Sequence, residues 1–206
     1  MTRIILVGGG EHACVVADAV RCARDAAAVI GFVDPKSGTF AERAGIPRLG
    51  DDDALGAYAD ALVVIGFGSL DSWKARWRMA ERLAAAGRTG AVVVHRASCV
   101  AEGVSVGEGS VVMAGALVQP GAVIGRHCVI NTGSIVEHDV VLGDNVHVAT
   151  GAAIGGGARI GDGAFVGLRA AIRDHVTVGG GAVVGMGAVV VRDVAPGSRV
   201  MGVPAR

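Results

Sequence analysis

His138 stands between two carboxylates, Glu137 and Asp139, in a stretch otherwise made of small aliphatic residues and glycine. Imidazole is the side chain that gains and loses a proton near neutral pH. A neighbouring carboxylate can fix its tautomer and raise its basicity. The trio therefore has the chemistry of a general base serving a nucleophile that loses a proton as it attacks. The plain alternative is a solvated histidine on a turn. A second group lies near the N-terminus, where Gly8-Gly9-Gly10 follows the apolar run Arg3 to Val7 and opens a helical pattern. Backbone amides and the positive end of a helix can face a phosphate or ribose there without Cβ obstruction. Read as Gly-x-Gly-x-x-Ala, the stretch also fits a dinucleotide fingerprint, and Asp34 ends the second apolar run about where the ribose-binding acid of such a site belongs. The alternative is a tight strand-to-helix turn that holds no ligand.

Two kinds of element must position these groups. Up to about residue 92, short aliphatic runs (Arg3 to Val7, Val29 to Val33, Leu62 to Ile65 and a weaker one at Ala91 to Val94) alternate with helical patterns over Glu11 to Arg24 and Asp71 to Ala86. That order predicts a small Rossmann-like α/β domain, residues 1–92, with a parallel sheet covered by helices. Fewer than 95 residues are available for it, room for one mononucleotide-binding half, which disfavours NAD or NADP as the ligand.

From Val94 onward the period becomes six. Stepping by six from Val94 to Val190 lands on Val, Ile or Leu at all seventeen positions, which neither an α-helix nor a flat sheet produces. Four residues after these positions stand small ones such as Ser110, Ala116, Ala122, Cys128, Ser134, Ala152, Ala164 and Ala188. Three residues after, from Gly103 to Asp193, stand ten Gly, two Asp, one Asn, two His and a single Arg, Arg169. Most of these tolerate positive φ. A chain that turns a corner every six residues, with an aliphatic side chain inside each time, is a parallel β-helix, predicted for residues 93–206 including a C-terminal tail. Three faces make a triangular coil of eighteen residues, and the run holds five to six coils. A ladder of Val and Ile explains a chain with 51% hydrophobic residues but only 3% aromatic, and the corners explain 34 glycines among 206 residues.

The motifs Gly8-Gly9-Gly10-Glu11-His12, Phe32-Val33-Asp34, Ile130-Asn131-Thr132-Gly133, Ile135-Val136-Glu137-His138-Asp139 and Val200-Met201-Gly202-Val203-Pro204-Ala205-Arg206 resemble those of the hexapeptide-repeat acyltransferases. Within them, the chain is similar to the NeuD/PglD-like group, which acetylates bacterial sugars, including nucleotide-linked 4-amino sugars and sialic acid. The resemblance implies a left-handed coil and an acetyl-CoA-dependent N-acetyltransferase of a nucleotide-linked amino sugar, serving surface polysaccharide or glycan biosynthesis. O-acetylation of a sugar of the sialic acid type is the alternative. It further implies a homotrimer with the cofactor in the groove between adjacent prisms. His138 would be the base and Asp139 the residue that orients it. His147, Leu168 and Met186 match positions that contact acetyl-CoA, and Asn131 a position lining the acceptor pocket. Gly8, Gly9, Gly10, His12, Asp34, Lys36 and Gly66 would surround the nucleotide. Glu11 departs from the pattern, since many relatives have Gly there. A carboxylate beside a pyrophosphate repels it unless it points away or binds a hydroxyl.

Gly156 lies eighteen residues after His138, one coil on at the same point of the triangle. Its amide is placed to donate to the thioester carbonyl and to the oxyanion that it becomes, and the resemblance implies the same role. Arg169, the corner residue that breaks the pattern, is within reach of a CoA phosphate in this reading. His127 and His175 fall on corners and His95 at the domain junction, which gives them structural roles.

Lys+Arg and Asp+Glu balance at 19 each, so there is no general electrostatic case for nucleic acid or an anionic membrane. The apolar run near the N-terminus is too short for a signal peptide or a membrane span, and a cytoplasmic enzyme is expected. No metal is expected. Cys14, Cys22, Cys99 and Cys128 form no Cys-x-x-Cys and read as small buried fillers. His138 and His147 are nine residues apart, half a coil, and do not stack along one edge. A prism without catalysis, or a sensor that binds a nucleotide-sugar without turnover, are the readings from other classes.

Overall fold

The computed structural model describes residues 1–68 and 73–206. The first part is a four-stranded parallel sheet of β1 (Thr2–Val7), β2 (Ala27–Val33), β3 (Arg48–Gly50) and β4 (Leu62–Ile65), in the order β3-β2-β1-β4. The central strand is apolar without alternation because both of its faces are covered. Ile4 and Leu6 pack toward α1 (Glu11–Arg21), whereas Ile5 and Val7 pack with Leu83, Met79 and Ala80 of α3 (Trp73–Ala85). A short α2 (Phe40–Arg43) and a 3-10 helix (Asp52–Tyr58) complete this part.

Several expectations need adjustment. The first helix stops at Arg21, because Ala23 pairs antiparallel with His95 and cannot continue a helical turn. The start of the second helical pattern, Asp71, lies outside the described residues. The weak run Ala91 to Val94 is divided between two structures. Gly90 and Ala91 bond to the edge of β4, and Val93–Val94 is already the first rung of the coil. The strand β3 and the 3-10 helix were not anticipated, each being too short to show a period. Of the four cysteines only Cys128 is buried; Cys14 and Cys22 are half-buried, and Cys99 is exposed because it points outward from its rung.

From Val93–Val94 to Arg199–Val200, eighteen two-residue strands stack in sheets of seven, six and five, forming a left-handed parallel β-helix. Partners are eighteen residues apart, as in Val111↔Val129 and Val129↔His147. The last coil is shorter by two residues, with Val183 opposite Arg199 and Val178 opposite Val194. The six-residue aliphatic series points inward, interleaved with Ala116, Ala122, Cys128, Ala152 and Ala164, all buried. At ~0.8 kcal/mol per buried CH₂, such a ladder needs no large rings. Fifteen of the sixteen corner positions are left-handed, ten glycines and His127, Asp139, Asn145, Arg169 and His175, with φ between 52° and 78°; Asp193, in the shortened coil, is the exception.

The two parts meet through one face of the prism. On the seven-stranded sheet the outward residues Val93, Val111 and Val129 are apolar and buried beneath Ala13, Val16 and Val20 of α1. The helix is thus sandwiched between the small sheet and the prism, and its N-terminal glycine loop opens beside the outer face of that seven-stranded sheet.

Candidate active site

His138 and Asp139 occupy the corner between the six- and five-stranded sheets, where Asp139 is left-handed at φ 58°. The Nδ1 of His138 lies 2.9 Å from Oδ2 of Asp139. With the proton on Nδ1, that nitrogen donates to the carboxylate and Nε2 is left as the acceptor. The hydrogen bond to Asp139, with a smaller contribution from Glu137, raises the His138 imidazole above its ordinary value of 6.5. Both side chains are exposed to solvent.

Glycines in the adjoining coils make room for this pair. A Cβ at Gly156 would lie 2.5 Å from Nε2 of His138, and one at Gly121 would meet Oδ1 of Asp139. The imidazole therefore lies directly over the Gly156 backbone, the juxtaposition expected from the eighteen-residue step. The amides flanking it are spent on the coil, Gly155 donating to Ile172 and Gly157 to His138, while among the described residues no backbone carbonyl accepts from the Gly156 amide.

The glycine loop is held by its neighbours. The Gly9 amide donates to Oδ2 of Asp34 and the Lys36 amide to Oδ1, both at 2.8 Å. Asp34 thus ties the turn after β2 to the loop after β1. A Cβ at Gly9 would collide with the Phe32 ring, and one at Gly66 would come within 3.1 Å of Ala13 and of the Gly8 carbonyl, whereas Gly10 faces open space. Gly10 caps α1 without a side-chain hydrogen bond, so the first amides of the helix point toward the loop mouth. Glu11 and Lys36 are exposed there.

Four of the remaining expected residues share one cavity of about 360 Å³. Asn131, His147, Leu168 and Met186 line it together with Gly68 and Phe165. Oδ1 of Asn131 accepts from the Thr132 amide, which leaves the carboxamide NH₂ for a ligand. Its walls are mainly apolar, and Leu168 and Met186 are 49% and 78% exposed, an uneconomical placement for large apolar side chains unless something covers them. An uncharged acyl-carrying arm fits such a wall.

His12 and His147 connect the loop to the cavity. Their ring centroids are 6.5 Å apart, and His147 stacks on Phe165 at 4.9 Å. Burial, followed by the Arg76 cation, pushes His12 down to about 4 and His147 to about 3. Both rings are neutral at physiological pH, so His12 brings no positive charge to the space between the loop and the cavity.

Arg76 escaped the sequence reading. It is buried on α3, and it donates to the carbonyls of Ile65 and Phe67 on one side and of His127 on the prism. It fastens the segment leaving β4 to the coil. Burial lowers it to about 10, so it remains a cation. The available signal was its place on the buried stripe of α3, seven residues before Leu83.

Three groups of expected residues thus occupy two regions. The glycine loop and the cavity adjoin through His12 and His147, whereas His138, Asp139 and Gly156 lie on the next edge of the same prism. Elsewhere Asp18, Cys22 and His95 place one ligand atom each within 4.8 Å of one another. Nδ1 of His95 accepts from the Ala97 amide, which puts the proton of the neutral ring on Nε2. Arg21 and Arg96 hold Asp18 and Cys22.

Residues 3–83 match the PglD N-terminal domain, residues 121–156 the bacterial transferase hexapeptide (six repeats), and residues 97–120 and 157–192 the hexapeptide repeat of succinyl-transferase. The acetyltransferase domain of PglB from Neisseria gonorrhoeae FA1090 is 32% identical, with a TM-score of 0.90 over 100% of this chain and 99% of that one. PerB from Caulobacter crescentus, solved in complex with CoA and GDP-perosamine, is 32% identical, with a TM-score of 0.89 over 100% of this chain and 97% of that one. WeeI from Acinetobacter baumannii AYE is 26% identical, with a TM-score of 0.68 over 100% and 99%. A comparison with curated protein sequences returned no match. With the glycine loop, the coil and the histidine corner in one chain, and with these likenesses spanning its whole length, the chain belongs to the hexapeptide-repeat sugar N-acetyltransferases that carry a PglD-type N-terminal domain.

Proposed function

We propose that this protein transfers the acetyl group of acetyl-CoA to the amine of a nucleotide-linked amino sugar, a 4-amino sugar destined for surface polysaccharide or glycan. The observation that carries the reading is the His138 imidazole, bonded to Asp139 and lying over the Gly156 backbone. The α/β unit, residues 1–92, holds the nucleotide at Gly8, Gly9, Gly10, His12, Asp34, Lys36 and Gly66. The prism, residues 93–206, holds the cofactor along His147, Leu168 and Met186, with Asn131 toward the acceptor. The complex of the Caulobacter enzyme with CoA and GDP-perosamine supports a nucleotide-sugar and a CoA thioester as the two ligands.

In the reaction, Nε2 of His138 accepts a proton from the sugar amine as its nitrogen attacks the thioester carbonyl. The Gly156 amide donates to the oxyanion of the tetrahedral intermediate. The C–S bond then breaks, the proton on His138 passes to the departing sulfur, and an amide remains on the sugar. Asp139 keeps the Nδ1 proton in place, so Nε2 is always the atom that exchanges it.

A homotrimer completes the site. His138 and the cofactor cavity are on adjacent edges of one prism, and packing prisms edge to edge places the histidine of one copy beside the cavity of the next, with Leu168 and Met186 covered. Acetyl-CoA and nucleotide-sugars are both cytoplasmic metabolites, which is where we place the enzyme. Among the described residues no helix is long and apolar enough to cross a membrane.

Analysis of the product tests the nucleophile. Acetylated nucleotide-sugar made by this enzyme should withstand mild base, as an amide does. Loss of the acetyl group under those conditions would identify an ester and transfer the role of nucleophile to a hydroxyl.

A further inference from the structure

The edge of the prism between the seven- and six-stranded sheets makes left-handed turns at positions 115, 133, 151, 169 and 187. Four of these are glycine and the fifth is Arg169. Its φ of 52° belongs to a region that Asn, Asp and His enter more readily among non-glycine residues, helped by short polar side chains. The Asp139 corner has an evident use in holding His138. Arg169 has no comparable local reason. Among the described residues it has no carboxylate partner, unlike Arg126 with Asp144 and Arg173 with Asp174. Backbone strain kept without a local return is commonly tied to a ligand.

Its surroundings indicate which ligand. Arg169 leans along the edge over Gly151, whose Cβ position is 3.4 Å from its Cγ. It borders a groove of about 470 Å³ with Thr150, Leu168, Met186 and Gly187. Thr150, Leu168 and Met186 also line the inner cavity that ends at Asn131 and His147. The two spaces form one trough, and Arg169 is the one charged side chain on it among the described residues, because His147 is neutral.

We infer that Arg169 binds the phosphates at the adenosine end of acetyl-CoA and thereby selects CoA thioesters over thioesters without phosphate. The inference rests on the proposed use of acetyl-CoA. A CoA thioester has an uncharged arm suited to the apolar inner wall and a phosphate-rich end that requires a cation. A guanidinium meets phosphate oxygens with two parallel donors, and one at the outer mouth sets how far the acyl group reaches inward.

The test uses Arg169→Gly, which gives the corner the residue found at the other four turns of this edge and relieves the left-handed strain, so the melting temperature should not fall. Calorimetric titration with CoA should show affinity reduced about tenfold in the variant, the size of one charge-assisted contact, with Arg169→Lys between the two. Turnover of acetyl-pantetheine should be the same in wild type and variant. Dephospho-CoA separates the sources of charge: a variant that still weakens it contacts the diphosphate, and one that does not contacts the 3′-phosphate. Equal affinity of wild type and Arg169→Gly for CoA would overturn the inference, as would equal losses with CoA and acetyl-pantetheine, or a change of native mass with CoA affinity intact. Failure of the wild-type protein to bind CoA at all would instead overturn the proposed function, along with this inference.

Discussion

Replacing His138 by Ala should lower turnover about 10²-fold or more, the usual contribution of a general base, while the Michaelis constants for both substrates stay close to wild type. The side chain is exposed and lines neither the glycine loop nor the cavity, so its removal leaves both binding regions and the fold intact. The pH profile gives the same residue a second signature. The base must be neutral to act, and Asp139 raises its pKa above the ordinary 6.5, so kcat/KM should fall on the acid side through a pKa higher than that of a free histidine. Asp139→Asn removes the cause that ranks first. The imidazole then titrates at lower pH, and the acid limb moves in the same direction, with a reduced plateau because the tautomer is no longer fixed. Retention of most of the activity by His138→Ala, or an acid limb unmoved in Asp139→Asn, would remove His138 from the mechanism.

Gly156→Ala should cost about 10²-fold through geometry alone, the loss expected when a reacting group is misplaced by about 1 Å. The added Cβ would fall 2.5 Å from Nε2 of His138, far inside van der Waals contact, and the ring must move off the edge. Gly156 does not have a left-handed φ, whereas Gly157 does at 66°. Alanine at 156 should therefore leave the melting temperature near wild type, and alanine at 157 should lower it with less direct effect on the base. Stability and activity thus separate between two adjacent glycines. Full activity in Gly156→Ala with an unchanged melt would show that the imidazole has no fixed place over this backbone.

The coil was legible because its repeat is local: six residues bring an inward aliphatic, a small residue and a corner, and each leaves a mark in the sequence. The stacking of Gly156 on His138 followed from the same step taken three times. Stepping by six nevertheless mixes three faces, and it concealed the row Val93, Val111, Val129, Phe165 and Val183, whose first three members α1 covers and whose last two line the cavity. Separated by eighteen, the outward row of that sheet is apolar apart from His147 and Arg199, where the five-stranded sheet has Ser105, Val123, Val141, Arg159 and Thr177. His147 belongs to the covered row, which explains why it is buried and neutral. Arg76 was not legible because its partners are three backbone carbonyls, which leave no residue type to read. Gly121, beneath Asp139, reads as a plain corner residue, and only the atomic positions reveal that it makes room for a side chain of the neighbouring coil.

Acetyl transfer to a nucleotide-linked amino sugar frees the thiol of CoA, and the release of that thiol from acetyl-CoA can be followed continuously. The assay should be run against 4-amino sugars carried on UDP, GDP and dTDP, with free sialic acid alongside. Thiol should be released with an amino sugar on one of these carriers and not with sialic acid. Release with sialic acid alone, or none with any acceptor, would contradict transfer to an amino sugar.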